Sequence, residues 1–315
     1  MAFEIPKVTY TGKIKEVKLG KGPKAITVGG ESSYPFHLFE GEMPHPPKIA
    51  MEVYDSPPEE WPETALEPFK EVVNDPVAWA KKCAGVYGAE LIALQLVSTD
   101  PNGLNRSSDE AAQTAKSVAS AVDVPVIVWG SGNTDKDAEV LRKVAEVCDG
   151  MNLIIGPVVE GNYKQVGAGA IGYKHIAVAS SPIDINLAKQ LNILLGNLGV
   201  PDGQILVDPT TGALGYGLEY TYSVMERDRM AALTQQDERL QFPILCNLAK
   251  EVWKTKEAKL SAEDAPLLGN AKKRGILMEA ITAVTLLLAG ADVLVMRHPD
   301  AIKLVREMVS DLMTK

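Results

Sequence analysis

The sequence predicts a closed parallel α/β barrel, a (β/α)8 TIM barrel with an N-terminal hairpin or arm. Three observations carry this. A short apolar run that ends in small polar residues, followed by an amphipathic stretch, recurs eight times along the 315 residues. Most of these runs are near-continuously apolar rather than alternating, as strands buried on both faces must be. The chain is 46% hydrophobic, enough for one large core, and barrels of this kind occupy such a length as one domain. Eight strand-then-helix units favour closure; a doubly wound open sheet is the alternative.

The elements follow in chain order. Residues 1–23, with VTYTGKIKEVKLG, alternate in strand fashion and form the hairpin or arm; the barrel is expected over residues 24–315. Its strands are expected at Ala25–Val28, Leu91–Val97, Val124–Trp129, Met151–Ile155, Ile176–Ala179, Ile205–Val207, Phe242–Cys246 and Val293–Met296. Residues 31–73 hold eight prolines and read as one long loop, functional or an interaction surface. Ser107 with Glu110 is a capping box that opens a helix through about Ala121. Thr134 caps the next helix, whose Val140, Leu141, Val144, Val147 and Cys148 fall on one stripe. Asn186–Leu198 and Asp300–Met313 have the same character.

Composition narrows the function. Charged residues make up 23% and the net charge is -9, which argues against nucleic acid, where affinity comes from phosphate neutralisation by Lys and Arg. The start, MAFEIPKVTY, lacks the basic stretch and apolar core of a signal peptide. The apolar segment Ile276–Ala289 contains Glu279 and is shorter than the roughly 18 residues a membrane span needs. A cytoplasmic protein with no membrane association is the expectation. Cys83, Cys148 and Cys246 are far apart and form no C-x-x-C, so they read as buried small hydrophobes rather than as zinc or iron–sulfur ligands.

Barrel chemistry sits at the C-terminal ends of the strands, and those positions are polar. Ser98, Asp100 and Asn102 follow the second strand; Ser131, Asn133 and Thr134 follow the third. Ser180 to Asp184 (SSPID) follow the fifth. Asp208, Thr210 and Thr211 follow the sixth, in the stretch ILVDPTTGALGYG. Asn247 ends the seventh, and Arg297 and His298 the eighth. Taken singly, each is what a βα turn uses anyway. As a ring, they suit a polar, amide-rich ligand or a conjugated heterocycle, and a phosphate poorly. No nucleophile–base pair stands out, so no catalytic residue and no metal ligand is expected.

Several motifs carry less than they promise. GAGAIG (Gly167–Gly172) spells G-x-G-x-x-G, but that fingerprint needs a strand before it and a helix after it. Here a polar stretch precedes it and a strand follows, so these glycines read as close helix packing. His37, His45, His175 and His298 show no H-E-x-x-H spacing; His175 is expected at the barrel floor and His298 on the active face. The acidic run PPEEWPE (Pro57–Glu63) reads as a solvated edge or docking patch.

At this point a resemblance becomes specific. VTYTGKIKEVKLG, ITVGGESSYPFHLFEGEMPHPPKIAMEVYD, ALQLVSTDPNG, VWGSGNTDKDAEVL and LVDPTTGALGYGLEYTYSVMERDR resemble the small subunit of the corrinoid iron–sulfur protein of the reductive acetyl-CoA pathway. The likeness covers essentially the whole chain and extends to the delta subunit of archaeal acetyl-CoA decarbonylase/synthase. It implies a barrel related to pterin-binding methyltransferases, in a heterodimer whose large subunit carries an iron–sulfur cluster and a corrinoid (cobamide). It also implies a methyl group arriving from methyltetrahydrofolate through a separate methyltransferase and leaving to acetyl-CoA synthase, with this barrel mouth as a lid over the corrinoid. On that resemblance Asn133, Thr134, Asp208 and Thr210 are candidate partners for the amides of a corrin rim. Pterin binders of the wider fold use strand-end Asp and Asn, which makes Asp100, Asn102, Asp208 and Asn247 candidate remnants of such a site. The expected function is a non-catalytic carrier subunit. The rivals are a methyltetrahydrofolate:corrinoid methyltransferase and a scaffold without cofactor contact.

Overall fold

The computed structural model describes residues 4–314. Ten strands form in two groups. β1 (Val17–Leu19) and β2 (Ile26–Val28) make an antiparallel hairpin. The other eight close into a parallel barrel: β3 (Lys48–Tyr54), β4 (Leu91–Gln95), β5 (Val126–Trp129), β6 (Ile154–Val158), β7 (Ile176–Ser180), β8 (Ile205–Asp208), β9 (Ile244–Asn247) and β10 (Ala291–Met296). β10 pairs with β3 and so closes the ring.

A main helix follows each barrel strand. In order these are α1 (Pro76–Gly85), α2 (Ser108–Ala121), α3 (Thr134–Val147), α4 (Tyr163–Tyr173), α5 (Ile185–Leu198), α6 (Leu218–Thr234), α7 (Ala271–Leu288) and α8 (Pro299–Leu312). The predicted fold class therefore holds.

One strand assignment is corrected. Ala25–Val28 does not open the barrel; Ile26–Val28 is the second arm of the hairpin, which consequently runs past residue 23. The first barrel strand is Lys48–Tyr54, from inside the segment read as a loop. Its sequence, KIAMEVY, is buried from the second residue onward. The dense prolines on both sides and a glutamate in mid-run conceal the pattern. Residues 31–73 are thus a connection, a barrel strand and the start of a βα loop.

Strand side chains alternate between two environments. Ala50, Leu91, Ala93, Ile127, Ile154, Val178, Leu206, Leu245, Val293 and Val295 point inward and pack with Val17, Leu19 and Val28 of the hairpin. The hairpin therefore plugs the barrel at its N-terminal end. Gly20, at φ +70°, makes this docking possible: a Cβ there would lie 2.7 Å from the Pro125 ring. Asn152 Nδ2 donates to the Gly20 carbonyl at 2.6 Å and pins the turn to the floor.

Outward-facing strand residues pack under the helices. Gly167 and Gly169 lie within α4, where a Cβ would meet Leu198 at 2.8 Å and Ala145 at 3.2 Å respectively. GAGAIG is helix packing, as its context suggested. The Ser107–Glu110 capping box is present. At α3, however, the cap is Asn133, whose Oδ1 accepts from the Lys136 N–H at 3.0 Å; Thr134 is already helical. His175 is fully buried at the floor, its Nδ1 accepting from Leu153 N–H and its Nε2 facing the Ala145 carbonyl, both at 3.0 Å. All three cysteines are buried and free. Among the described residues, no helix is long and apolar enough to cross a membrane.

If the hairpin is a core element, Leu19→Ala should cost about 2–5 kcal/mol, while Lys18→Ala, exposed on the same strand, stays within about 0.5 kcal/mol. Urea unfolding of the two variants separates a plug from a loosely attached arm.

Candidate functional site

Extending the inward alternation to the strand tips names the residues of the mouth. They are Glu52 and Tyr54 on β3, Gln95 on β4, Trp129 on β5, Ser180 on β7, Asp208 on β8, Asn247 on β9, and Arg297 just past β10. The apolar interior thus ends in a polar layer.

Arg297 dominates one side. Only 2% exposed, it donates from Nε to Glu52 Oε2 at 2.7 Å and from Nη2 to the Tyr54 hydroxyl at 3.3 Å. Its guanidinium carbon lies 3.6 Å from the ring centroid of Trp61, in cation–π contact. The chain turn that aims it is built by Glu279, buried within α7. That carboxylate accepts from the backbone N–H groups of Arg297 and His298 and from Trp253 Nε1. Across the mouth Gln95 Nε2 donates to Asn247 Oδ1 at 3.2 Å.

The opposite side centres on Asp208, which accepts from Ser180 Oγ at 2.6 Å and from the Thr210 N–H at 3.1 Å. The loops after β7 and β8 are joined by Ser181 N–H to the Asp208 carbonyl, Ile183 N–H to the Pro209 carbonyl, and Thr210 Oγ1 to the Ser181 carbonyl. Two β-branched residues there, Ile183 at φ +31° and Thr210 at φ +62°, sit in the left-handed region. Each costs on the order of 1–3 kcal/mol, and such strain gathers at functional sites. Ser181 Oγ is buried without a hydrogen-bond partner among the described residues.

Two hollows adjoin the layer. One, of about 380 Å³, is walled by Tyr54, Trp61, Trp253, Lys250 and Arg297. The other, of about 260 Å³, lies between the loops after β6 and β7 and is lined by Ser180, Ser181, Pro182 and α5 leucines.

The rim residues expected from sequence divide sharply. Asp208 and Asn247 face the mouth and Thr210 stands beside Asp208, whereas the Thr211 hydroxyl, expected on the rim, is buried against the Cys246 thiol in the layer between strands and helices. Ser98 instead turns away to bond Asp55 through both its N–H and its hydroxyl. Asp100 reaches the edge of the larger hollow but spends Oδ1 on the Asn102 N–H at 2.8 Å; Asn102 itself is exposed. Ser131 is held by Asp137, Asn133 caps α3, and Thr134 is exposed on its first turn. For these residues the ordinary turn-and-cap role is what the structure displays.

His298 is likewise corrected. Rather than presenting an open ring to the active face, it is buried as the cap of α8, Nδ1 accepting from Asp300 N–H. Glu52, Tyr54, Trp61 and Gln95 were missed. Glu52, the one charge in an apolar run, was the available signal. PPEEWPE is not merely a solvated edge, because Trp61 and its preceding prolines wall the larger hollow.

Burial pushes the Asp208 carboxyl up to about 6, against its Ser180 and Thr210 hydrogen bonds. Burial likewise raises Glu279 to about 7 and lowers His298 to about 4, so the imidazole is neutral near pH 7. A carboxyl raised above its unfolded value contributes stability that is complete below that value and is lost as pH climbs through the folded one. Between about pH 4 and pH 7 the native protein should therefore lose on the order of 2–3 kcal/mol relative to Asp208→Asn. Urea midpoints measured across that range would run parallel for the two proteins if Asp208 were not raised.

Comparison with known proteins places the chain. A family model described as the CO dehydrogenase/acetyl-CoA synthase delta subunit matches residues 16–311. The acetyl-CoA decarbonylase/synthase complex subunit delta of Archaeoglobus fulgidus is 38% identical over 324 residues, covering 98% of this chain and 71% of that protein. The subunit of the same name from Methanopyrus kandleri is 38% identical over 289 residues, covering 91% of this chain and 70% of that one. Among solved structures, dihydropteroate synthase of Xanthomonas albilineans superposes with a TM-score of 0.57 over 94% of this chain and 97% of that one. At 14% identity, that likeness speaks for the barrel fold alone. This chain belongs to the delta-subunit family of CO dehydrogenase/acetyl-CoA synthase.

Proposed function

We propose that the chain is the small, non-catalytic subunit of a heterodimeric corrinoid iron–sulfur methyl carrier, its barrel mouth closing over a corrinoid held with the large subunit. On this reading the iron–sulfur cluster belongs to the large subunit. A methyltetrahydrofolate methyltransferase and acetyl-CoA synthase are the successive partners. When bound, the corrinoid supplies a cobalt that accepts and releases the methyl group.

One observation carries the proposal: the inward-facing strand tips end in a buried polar layer beside a buried hydroxyl, that of Ser181, which finds no partner within the described residues. A buried polar group left unpaired costs about 1–3 kcal/mol, so this hydroxyl favours a ligand that brings hydrogen-bonding groups. A corrin rim is fringed with carboxamides, each both donor and acceptor, and the residues present fit it. Ser181 and Asn247 can hydrogen-bond such amides, and Asp208 can accept from them or, protonated, donate. The strained turns at Ile183 and Thr210 hold these groups in place before the ligand arrives.

The family membership supports the setting, since the relatives are named as subunits of a larger complex. The rival, in which Asp208 and Asn247 bind a pterin and this chain transfers the methyl group itself, is separated by assay. Purified chain mixed with methyltetrahydrofolate and reduced free cobalamin should yield no methylcobalamin. With the large subunit, Thr210→Trp, which fills an exposed position on the rim, should shift the visible corrinoid absorption or lower cofactor content while circular dichroism stays native. A spectrum identical to that of the native assembly would leave a scaffold without cofactor contact.

A further inference from the structure

The two sides of the mouth differ in chemistry. The smaller hollow is mainly aliphatic. The larger one joins three aromatic walls, Tyr54, Trp61 and Trp253, to cationic donors. Arg297 lines it, and the Glu52–Arg297 pair behind that wall is incomplete. Nε and Nη2 of Arg297 are taken by Glu52 and Tyr54, no hydrogen bond within the described residues engages Nη1, and Glu52 Oε1 is buried without a donor. An ion pair this deep, with the two side chains 2% and 0% exposed, gains from each further hydrogen bond that completes it.

The lip repeats the pattern. Lys254 and Lys259 are paired with Glu251 and Glu60, whereas Lys250 has no carboxylate partner among the described residues. Asp100 and Glu59 add acceptors on the same lip. A simple anion would satisfy the free donors but would face the carboxylates of Asp100 and Glu59. A primary carboxamide supplies both complements, a carbonyl for Arg297 Nη1 and Lys250 and an N–H for the carboxyl oxygens. Flat aromatic walls beside such donors suit a rigid ring system whose edge alternates methyl and amide groups.

We infer that the hollow between the tips of β3, β9 and β10 is the subsite for one carboxamide-bearing edge of the corrin ring, with Arg297 and Lys250 as its donors and Trp61 and Trp253 as its walls. This rests on the proposed function and locates the ring within the mouth: it leans on the Arg297 side, and the Asp208 side meets the opposite edge. None of the exposed residues Asn102, Asn133 and Thr134 takes part.

The test uses the chain assembled with its corrinoid-bearing partner and follows exchange of the bound corrinoid against excess free dicyanocobinamide by visible absorption. Arg297→Lys and Lys250→Ala should each speed exchange by roughly tenfold, while Lys303→Ala, exposed on α8, leaves it unchanged. Trp61→Phe should remove part of the quenching of tryptophan emission that the corrinoid causes. Lys250 is exposed, so its variant decides the matter even where Arg297→Lys fails to fold. Native exchange in Lys250→Ala together with an altered spectrum in Thr210→Trp would put the ring against the other rim and overturn this inference alone. Native behaviour in both would overturn the proposed function as well.

Discussion

Closure of the parallel sheet governs everything else in this molecule. Once β10 pairs with β3, every second strand residue faces an interior too narrow for bulk solvent, and every other one faces a helix. The interior must then be sealed at both ends. The floor is sealed by the apolar face of the hairpin, Val17, Leu19 and Val28. The mouth is sealed by polar side chains that hydrogen-bond one another, because the alternation does not stop where the apolar residues do.

A buried charge at the mouth is the second consequence. Arg297 cannot be left alone at 2% exposure, and three elements combine to hold it: Glu52 from β3, Tyr54 beside it, and Trp61 from the loop that follows. Glu279 reaches the same point from the helix layer and ties the end of β10 to Trp253. The prolines on either side of Trp61 fix φ at their own positions and so narrow the conformations open to the loop.

Much of this was legible in the chain. Seven of the eight barrel strands, the Ser107–Glu110 cap and the packing role of GAGAIG follow from run length, capping chemistry and context. The exception, Lys48–Tyr54, failed for a physical reason. A buried strand is recognised by uninterrupted apolar character, and Glu52 interrupts it precisely because its partner, Arg297, lies 245 residues away. The site was legible in part. Strand-end position put Asp208 and Asn247 at the mouth, but it did not tell them from Ser98, Ser131 or Asn133, which serve turns and caps.

The amino-acid order by itself determined the barrel and the family to which the chain belongs, because these depend on local periodicity and on extended sequence strings. Tertiary structure decided which polar residues converge. Whether a strand-tip side chain points into the mouth or back to its own turn depends on the phase of the alternation and on partners far along the chain. Arg297, Glu52, Trp61 and Glu279 meet only after the sheet has closed.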